Sequence, residues 1–337
     1  MLPRKEQFSG SLIGQCLGDA LGFAVEGFSP GACKRYVEDV LKTERAGEFG
    51  HFPYPFGQYS DDSQLARELL QSYVTCKKFD PSDYADRIKT LFAERKVVGW
   101  GQATRDAAIK LIRGVPWEES GTPAPSAGNG SAMRVAPIGL FFFDNRELLI
   151  KAAHDQGRIT HKDLRCSAGA VAISGAVAMV LQDKPINTES FLSSLVEWSG
   201  KIEPAFASEL EKLKEWVSMP PEGAVTLISK AGIADDYLLE DEWQGITPFV
   251  TSSVLWSLYS FLRTPDDYWE TICTAIAVGG DVDTTAAMAG AISGAYLGLE
   301  AIPSNLSQRL TDQEKWRSDE LVELAHQCYE IKMQNVR

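Results

Sequence analysis

Several features that mark other protein classes are absent from these 337 residues. The six cysteines are scattered without a CxxC pair, which argues against a zinc ribbon and against a dense disulfide scaffold. Two Ala- and Gly-rich uncharged runs, residues 166–182 and 284–299, are shorter than the ~20 residues that a membrane-spanning helix needs. Near the amino terminus, no continuous apolar stretch marks a signal peptide. The sequence therefore predicts a cytoplasmic protein that makes no membrane contact.

Positive charge is also in short supply. The 33 Lys and Arg residues stand against 46 Asp and Glu residues, which leaves a net charge of −13 at pH 7. A surplus of this sign repels the phosphate backbone of nucleic acids, so we expect no direct nucleic-acid binding. The 44% hydrophobic and 23% charged residues are typical of a globular chain, and this length can bury a sizeable core.

The chain lacks linkers, low-complexity tracts and the alternating pattern of strands. We therefore predict one domain over residues 1–337. We also expect a monomer rather than an oligomer. Apolar residues recur at helical spacing instead, and this periodicity predicts an all-α fold. The predicted helices cover residues 5–23, 62–76, 81–94, 101–113, 133–143, 145–156, 163–182, 188–199, 203–217, 222–230, 248–263, 265–278, 284–299 and 318–332.

Small residues recur every four positions in three of the predicted helices. Residues four apart share one helix face. Glycine inside a helix costs about 1 kcal/mol relative to alanine, so these ridges indicate helices that cross closely. A merely Gly- and Ala-rich composition is the alternative. The three ridges are Gly10, Gly14, Gly18 and Gly22; Ala168, Ala172 and Ala176; and Ala286, Gly290, Gly294 and Gly298.

Two short acidic segments stand at predicted helix starts. Residues 59–64 read Tyr-Ser-Asp-Asp-Ser-Gln, and residues 279–285 read Gly-Gly-Asp-Val-Asp-Thr-Thr. Helix capping explains one such side chain in each segment, because Ser, Thr and Asp are favoured there. Each segment supplies two acids and a hydroxyl, an all-oxygen set that suits Mg²⁺ or Mn²⁺ better than zinc. If the two segments converge, their four carboxylates could hold two ions.

A glycine-bracketed loop, a histidine and an arginine are further candidates. Residues 126–131 precede a helix predicted to begin near Met133, so backbone N–H groups of the loop could face a pyrophosphate, although the Asn-Gly pair is also a common turn. Arg134 could meet a phosphate or pair with an acid. His161 could cap a helix or be a satisfied core group. Tyr59 is the aromatic candidate for stacking on an adenine.

Five segments, in this order, resemble the signatures of the ADP-ribosylglycohydrolase family, and the resemblance runs from about residue 8 to about residue 303. The family includes dinitrogenase reductase-activating glycohydrolases and hydrolases of ADP-ribosylarginine and ADP-ribosylserine. The resemblance implies a compact, all-α, single-domain orthogonal helical bundle with a binuclear Mg²⁺ or Mn²⁺ site at its centre. The segments are Gly18-Asp19-Ala20-Leu21-Gly22 with Glu26, Ser60-Asp61-Asp62-Ser63, Gly128-Asn129-Gly130-Ser131-Ala132-Met133-Arg134, Thr160-His161 and Gly279-Gly280-Asp281-Val282-Asp283-Thr284.

The resemblance also implies roles for individual residues. Asp283 is the implied bridge between two ions, Asp19 a structural support, and His161 a partner of the diphosphate or the distal ribose. Ser60 and Ser63 replace the usual threonines and Val282 replaces a frequent threonine, changes that remove no expected ligand. The implied metal ligands are Ser60, Asp61, Asp62, Asp281, Asp283 and Thr284. The candidate catalytic acids or bases are Asp61, Asp62 and Glu26. The candidate substrate-binding residues are Gly128, Asn129, Gly130, Ser131, Met133, His161 and Tyr59.

The activity that follows from this resemblance is hydrolysis of a glycosidic bond between ADP-ribose and an acceptor, through an oxocarbenium-like state. The expected substrate is an ADP-ribosylated protein or a small ADP-ribosyl conjugate. Arginine is the leading acceptor, and serine, another side chain, a nucleobase or a small metabolite stay open. A two-metal phosphoester hydrolase and a structural protein like the J1 lens crystallins are the alternatives. Specificity is expected in residues 27–58 and 243–248.

Overall fold

Helices account for the regular secondary structure of residues 2–233 and 244–335, the parts of the chain that the computed structural model describes. Within these ranges the β-type pairings are isolated bridges, so the all-α prediction is confirmed. None of the described helices combines the length and apolar character needed to cross a bilayer. The α-helices are α1 Lys5–Phe23, α2 Pro30–Tyr36, α3 Asp61–Cys76, α4 Pro81–Ala93, α5 Gln102–Ile112, α6 Trp117–Ser120, α7 Ala136–Phe142, α8 Arg146–Arg158, α9 Leu164–Val180, α10 Thr188–Gly200, α11 Pro204–Trp216, α12 Pro221–Ile228, α13 Val250–Arg263, α14 Tyr268–Ala277, α15 Val282–Leu297, α16 Ser304–Ser307 and α17 Ser318–Asn335.

The predicted helices agree with the observed ones except at short elements and at some helix starts. Three short helices, α2, α6 and α16, were not predicted, because segments of four to seven residues are too short to show a helical period. A π-helical turn at Val37–Leu41 also escaped prediction. Helix α7 begins at Ala136 rather than at residue 133, because the preceding Asn129–Ser131 segment forms a separate 3₁₀ turn.

The crossing of α1 and α15 lies at the centre of the fold. A Cβ atom built on Gly14 would lie 2.4 Å from the carbonyl oxygen of Gly290, and one built on Gly290 would lie 2.3 Å from the oxygen of Gly14. At Gly18, the same construction meets the oxygen of Ala286 at 2.2 Å. Only a residue without a Cβ permits such backbone contact. The prediction that these two ridges mark a close crossing is confirmed.

The crossing also fixes the start of α3. The carboxylate of Asp19, on α1, accepts hydrogen bonds from the backbone N–H groups of Ser60 (2.8 Å) and Ser63 (3.1 Å). Ser60 caps the helix, since its hydroxyl oxygen accepts the N–H of Asp62 at 3.3 Å. Asp19 is completely buried and satisfied by these donors, so its predicted role as a structural support agrees with its contacts.

Two glycines in left-handed backbone conformations lead into α15. Gly279 has a φ of 76° and Gly280 a φ of 87°, and a Cβ on Gly280 would lie 2.1 Å from the carbonyl oxygen of Ile246. Backbone hydrogen bonds join Gly280 to Gly27 and Phe28, the segment that follows Glu26. The glycine pair therefore brings the end of α1 beside the start of α15.

Candidate active site

A cavity of about 370 Å³ lies where the starts of α3, α5 and α15 meet the loop before α7. Both acidic segments contribute to its wall, so the predicted convergence of these segments is confirmed. The loop that precedes α5 and the glycine-bracketed loop form other parts of the wall. The cavity is lined by Glu26, Asp61, Asp62, Gly99, Trp100, Gly101, Gln102, Ala103, Thr104, Ser126, Gly128, Asn129, Gly130, Met133, His161, Pro248, Asp281, Asp283 and Thr284.

Three acids come close together at the start of α15. Glu26, Asp281 and Asp283 each place a carboxylate oxygen within 4.8 Å of the other two. One oxygen of Asp283 accepts the backbone N–H of Thr284 at 2.9 Å. Asp281 accepts a hydrogen bond from the side-chain amide of Asn129. Carboxylates held this close repel each other strongly unless protons or cations intervene.

Two further carboxylate oxygens on the α3 side have unused hydrogen-bonding capacity. Oδ2 of Asp61 and Oδ1 of Asp62 are buried, and neither has a hydrogen-bond partner among the described residues. An unpaired buried carboxylate is unstable unless a proton or a cation compensates its charge. Oxygen donors alone, with no nitrogen or sulfur among them, suit a hard divalent ion. The residues on both sides of the cavity therefore fit Mg²⁺ or Mn²⁺.

The protonation of these acids follows from their burial and their mutual repulsion. Burial, followed by the charge of Asp19, raises the pKa of Asp61 and of Asp62 well above the usual range. Burial and the charge of Glu26 do the same for the pKa of Asp283. Burial and the charge of Asp281 raise the pKa of Glu26 to about 7. Without a cation, the folded protein therefore retains protons on carboxyls that an unfolded chain would release.

This retention predicts a pH-dependent stabilisation by Mg²⁺. Because these carboxyl pKa values are raised in the folded state, their contribution to the free energy of unfolding is fully present below about pH 4, the pKa of a carboxyl in the unfolded chain. For Glu26 this contribution is lost as the pH rises to about 7, its pKa in the folded protein. A bound cation removes this loss, so Mg²⁺ should raise the free energy of unfolding more at about pH 8 than at about pH 5. Urea denaturation at both pH values, with EDTA or with saturating Mg²⁺, measures the difference. Equal stabilisation at both values would contradict the prediction.

The glycine-bracketed loop is tied to the acids by one side chain. The amide of Asn129 donates to Asp281 and, at 2.9 Å, to the hydroxyl of Ser253, so this side chain supports an acid that lines the cavity. Gly128, Gly130 and Met133 line the cavity as well. Their predicted contacts with substrate stay predictions.

Two of the predicted substrate-binding residues do not line the cavity. Tyr59 is completely buried, and its hydroxyl donates to the carbonyl oxygen of Trp316 and accepts from Arg67. Stacking of Tyr59 on an adenine is incompatible with this position, so that prediction is wrong. The hydroxyl of Ser131 donates to the carbonyl oxygen of Cys166 at 2.9 Å and serves the fold instead.

Trp100 is an aromatic residue of the cavity that the sequence analysis passed over. It lines the cavity, its side chain is 45% exposed, and the guanidinium carbon of Arg105 lies 4.8 Å from its ring centroid. The signal in the sequence was its place between Gly99 and Gly101, because a tryptophan in a glycine-flanked loop is poorly placed to join a helical core. Trp100 is the better candidate for stacking on a flat ring.

Arg134 and His161 occupy different positions relative to the cavity. Arg134 is completely buried and donates to the side chain and backbone of Gln156 and to the hydroxyl of Thr160, so no acid is among its hydrogen-bond partners in the described residues, and its contact with a phosphate stays a prediction. His161 lines the cavity. Burial and the charge of Arg134 lower the pKa of His161 to about 3, which keeps the imidazole neutral.

The loops expected to determine specificity lie partly beside the cavity. Backbone hydrogen bonds from residues 27 and 28 join the first loop to the start of α15. Its Phe28 and Phe52 are 52% and 92% exposed. Pro248 of the second loop lines the cavity, whereas Trp243 lies outside the described residues. Their influence on specificity stays a prediction.

Comparison with known proteins agrees with this geometry. The family model named ADP-ribosylglycohydrolase matches residues 2–336. The protein ADP-ribosylhydrolase ARH3 of Xenopus tropicalis is 30% identical over 98% of this chain and 97% of its own length. ADP-ribosylarginine hydrolase Tri1 of Serratia proteamaculans (strain 568) is 25% identical over 94% of this chain and 79% of its own. A solved structure named ADP-ribosylglycohydrolase-related protein complex has a TM-score of 0.71 at 25% identity, covering 98% of this chain and 99% of that one.

Proposed function

The chain belongs to the ADP-ribosylglycohydrolase family and is a glycosyl-bond hydrolase, and we propose that it releases ADP-ribose from ADP-ribosylated arginine on proteins, with two Mg²⁺ or Mn²⁺ ions as cofactors. The observation that supports this proposal most strongly is the meeting of two acidic segments, distant in sequence, in one cavity. A purely structural protein has no need of such clustered, mutually repelling carboxylates.

The cations would be held by oxygen atoms from α3 and α15. The carboxylate oxygens of Asp61 and Asp62 without hydrogen-bond partners fit this role, as do those of Asp281 and Asp283. The hydroxyls of Ser60 and Thr284 complete the proposed set, with Asp283 as the bridge. Bound divalent cations would supply positive charge that orients the ribose hydroxyls and lowers the pKa of water.

Glu26 is the acid whose position best suits proton transfer. The four aspartates that line the cavity are at most 4% exposed, whereas Glu26 is only partly buried and precedes an exposed segment. A general base must pass its proton on to solvent, which a half-buried carboxylate can do. We assign Glu26 to accept a proton from water while the water oxygen bonds to the anomeric carbon and the bond from that carbon to the guanidinium nitrogen breaks. The arginine leaves as a neutral guanidine and takes up a proton from solvent. Asp61 and Asp62 remain the other candidates.

Charge supports arginine as the acceptor. The guanidinium group of an ADP-ribosylated arginine is cationic, and the five carboxylates that line the cavity exceed the charge of two divalent ions, on a chain with a net charge of −13. A serine acceptor carries no charge and gains nothing from this field. The relative named ADP-ribosylarginine hydrolase is consistent with this choice of acceptor.

A side-by-side assay on arginine-linked and serine-linked ADP-ribosyl peptides tests the proposal. We expect intact ADP-ribose from the arginine conjugate in Mg²⁺ or Mn²⁺, at least about ten-fold faster than from the serine conjugate, and no release in EDTA. Faster release from serine would overturn the proposed acceptor. Full activity after chelation would overturn the cation requirement, and AMP as the product would indicate phosphoester hydrolysis. The free ADP-ribosyl-arginine amino acid, assayed alongside, separates a protein substrate from a small conjugate.

A further inference from the structure

We propose that Thr160 and Arg134 are positioning residues that hold His161 as the neutral tautomer with its proton on Nε2, so that His161 donates a hydrogen bond into the cavity. The identity of the accepting molecule, ADP-ribose, rests on the proposed function. The tautomer itself rests only on contacts between described residues.

The Thr160 hydroxyl accepts a hydrogen bond from Arg134. Nη2 of Arg134 donates to Oγ1 of Thr160 at 2.8 Å. A guanidinium group can only donate, so this contact uses one lone pair of the oxygen and leaves the hydroxyl hydrogen free. Arg134 cannot swing away to other partners, because Nε donates to the side-chain oxygen of Gln156 at 3.0 Å and Nη2 also donates to its carbonyl oxygen.

Thr160 and His161 share a hydrogen bond in which the Thr160 hydroxyl must be the donor. Oγ1 of Thr160 lies 2.8 Å from Nδ1 of His161, and Thr160 is completely buried. If Nδ1 carried the proton, the hydroxyl hydrogen would have no acceptor among the described residues, and a buried donor without an acceptor is unfavourable. The hydroxyl therefore donates to Nδ1, and the imidazole proton resides on Nε2.

Nε2 of His161 lies beside the glycine-bracketed loop. A Cβ atom built on Gly130 would lie 2.6 Å from Cε1 and 3.2 Å from Nε2 of His161, and one built on Gly128 would lie 3.4 Å from Nε2. The glycines thus leave room for the ring on the cavity wall. The hydrogen bond of His161 among the described residues is made by Nδ1, so the N–H of Nε2 is available to a ligand.

The tautomer determines which ligand atoms His161 can contact. Phosphate oxygens of ADP-ribose only accept hydrogen bonds, so Nε2–H attracts them, whereas a lone pair on Nε2 would repel them. Burial and the neighbouring Arg134 guanidinium lower the pKa of His161 to about 3. The ring is therefore neutral, and Nδ1 is free to accept a hydrogen bond from Thr160. Burial, with a smaller contribution from Arg134, thus keeps the ring uncharged, and the same arginine acts through Thr160 to orient its single proton.

Nitrogen-15 NMR of the histidine side chains in the whole protein tests the tautomer directly. The chain has four histidines, and His161→Gln assigns the resonance of interest. We expect the wild type and Thr160→Ser to show the neutral Nε2–H form between about pH 5 and about pH 8, and Thr160→Val to lose this preference. A neutral Nδ1–H form, or a charged ring, in the wild type would overturn the proposal, even if the valine variant does not fold.

Calorimetric titration with ADP-ribose tests the consequence. We expect Thr160→Val to weaken binding about ten-fold, while Thr160→Ser, which retains the hydroxyl, stays within about two-fold of the wild type. Equal affinity in the valine variant and the wild type would overturn the donor role of His161. If no variant binds ADP-ribose while the NMR result holds, the proposed function fails and the tautomer assignment stands.

Discussion

Replacing Asp283 by asparagine is expected to lower kcat by about a thousand-fold or more and, at the same time, to stabilise the metal-free protein. Asparagine keeps the shape of the side chain but removes its negative charge. Asp283 lies with Glu26 and Asp281 in the tightest group of acids, and burial and their charges raise its pKa well above the usual range. The variant therefore loses a proposed cation ligand and also avoids the free-energy cost of either ionising or protonating this buried carboxyl.

Two measurements check this prediction, initial rates of ADP-ribose release and thermal denaturation in EDTA. Asp183→Asn is the matched control, because Asp183 is exposed and does not line the cavity. The control should leave both quantities unchanged. An active Asp283→Asn protein would contradict the bridging role, and a large loss of stability in EDTA would contradict the electrostatic description of the acids.

Replacing Gly290 by alanine is expected to lower the free energy of unfolding by about 3 kcal/mol or more. The new Cβ would lie 2.3 Å from the carbonyl oxygen of Gly14, an atom in the middle of α1. Backbone inside a helix cannot give way locally, so α1 and α15 must move apart along their crossing. Because α15 also carries Asp283, activity should fall as well.

A second glycine supplies the control for this substitution. Gly223 lies in α12, and a Cβ built there meets no atom within 4 Å. Gly223→Ala should leave stability unchanged or raise it by about 0.5–1 kcal/mol, since alanine is the better helix former. Urea denaturation of both variants measures the contrast. Similar stabilities for Gly290→Ala and Gly223→Ala would show that the two helices do not depend on close backbone contact.

The helices and the acids of the site were predictable because their signals are local. Apolar periodicity identified the longer helices to within a few residues, and charge clustering singled out Asp61, Asp62, Asp281 and Asp283, all of which line the cavity. The spacing of glycines likewise identified the crossing of α1 and α15. Each of these patterns follows from neighbours within one or two helical turns.

Contacts between distant segments were not predictable in this way. Whether Tyr59 faces the cavity depends on its packing against Trp316, more than two hundred residues away in the chain. The sequence does not show that the amide of Asn129 donates to Asp281, or that Arg134 contacts Gln156 and Thr160 rather than an acid. A polar side chain meets its partner through tertiary packing, and no local period records that choice. Trp100 is different, because its place between two glycines was a local signal that the sequence did contain.

Anomalous diffraction from crystals grown with Mn²⁺ tests most directly whether the two acidic segments form one cation-binding centre. We expect two manganese peaks in the cavity, between Asp61 and Asp62 on one side and Asp281 and Asp283 on the other, with oxygen ligands. Crystals of the same form grown in EDTA should show neither peak. An Mn²⁺-saturated crystal without a peak between these residues would contradict the cation-dependent mechanism and the roles assigned to all four aspartates.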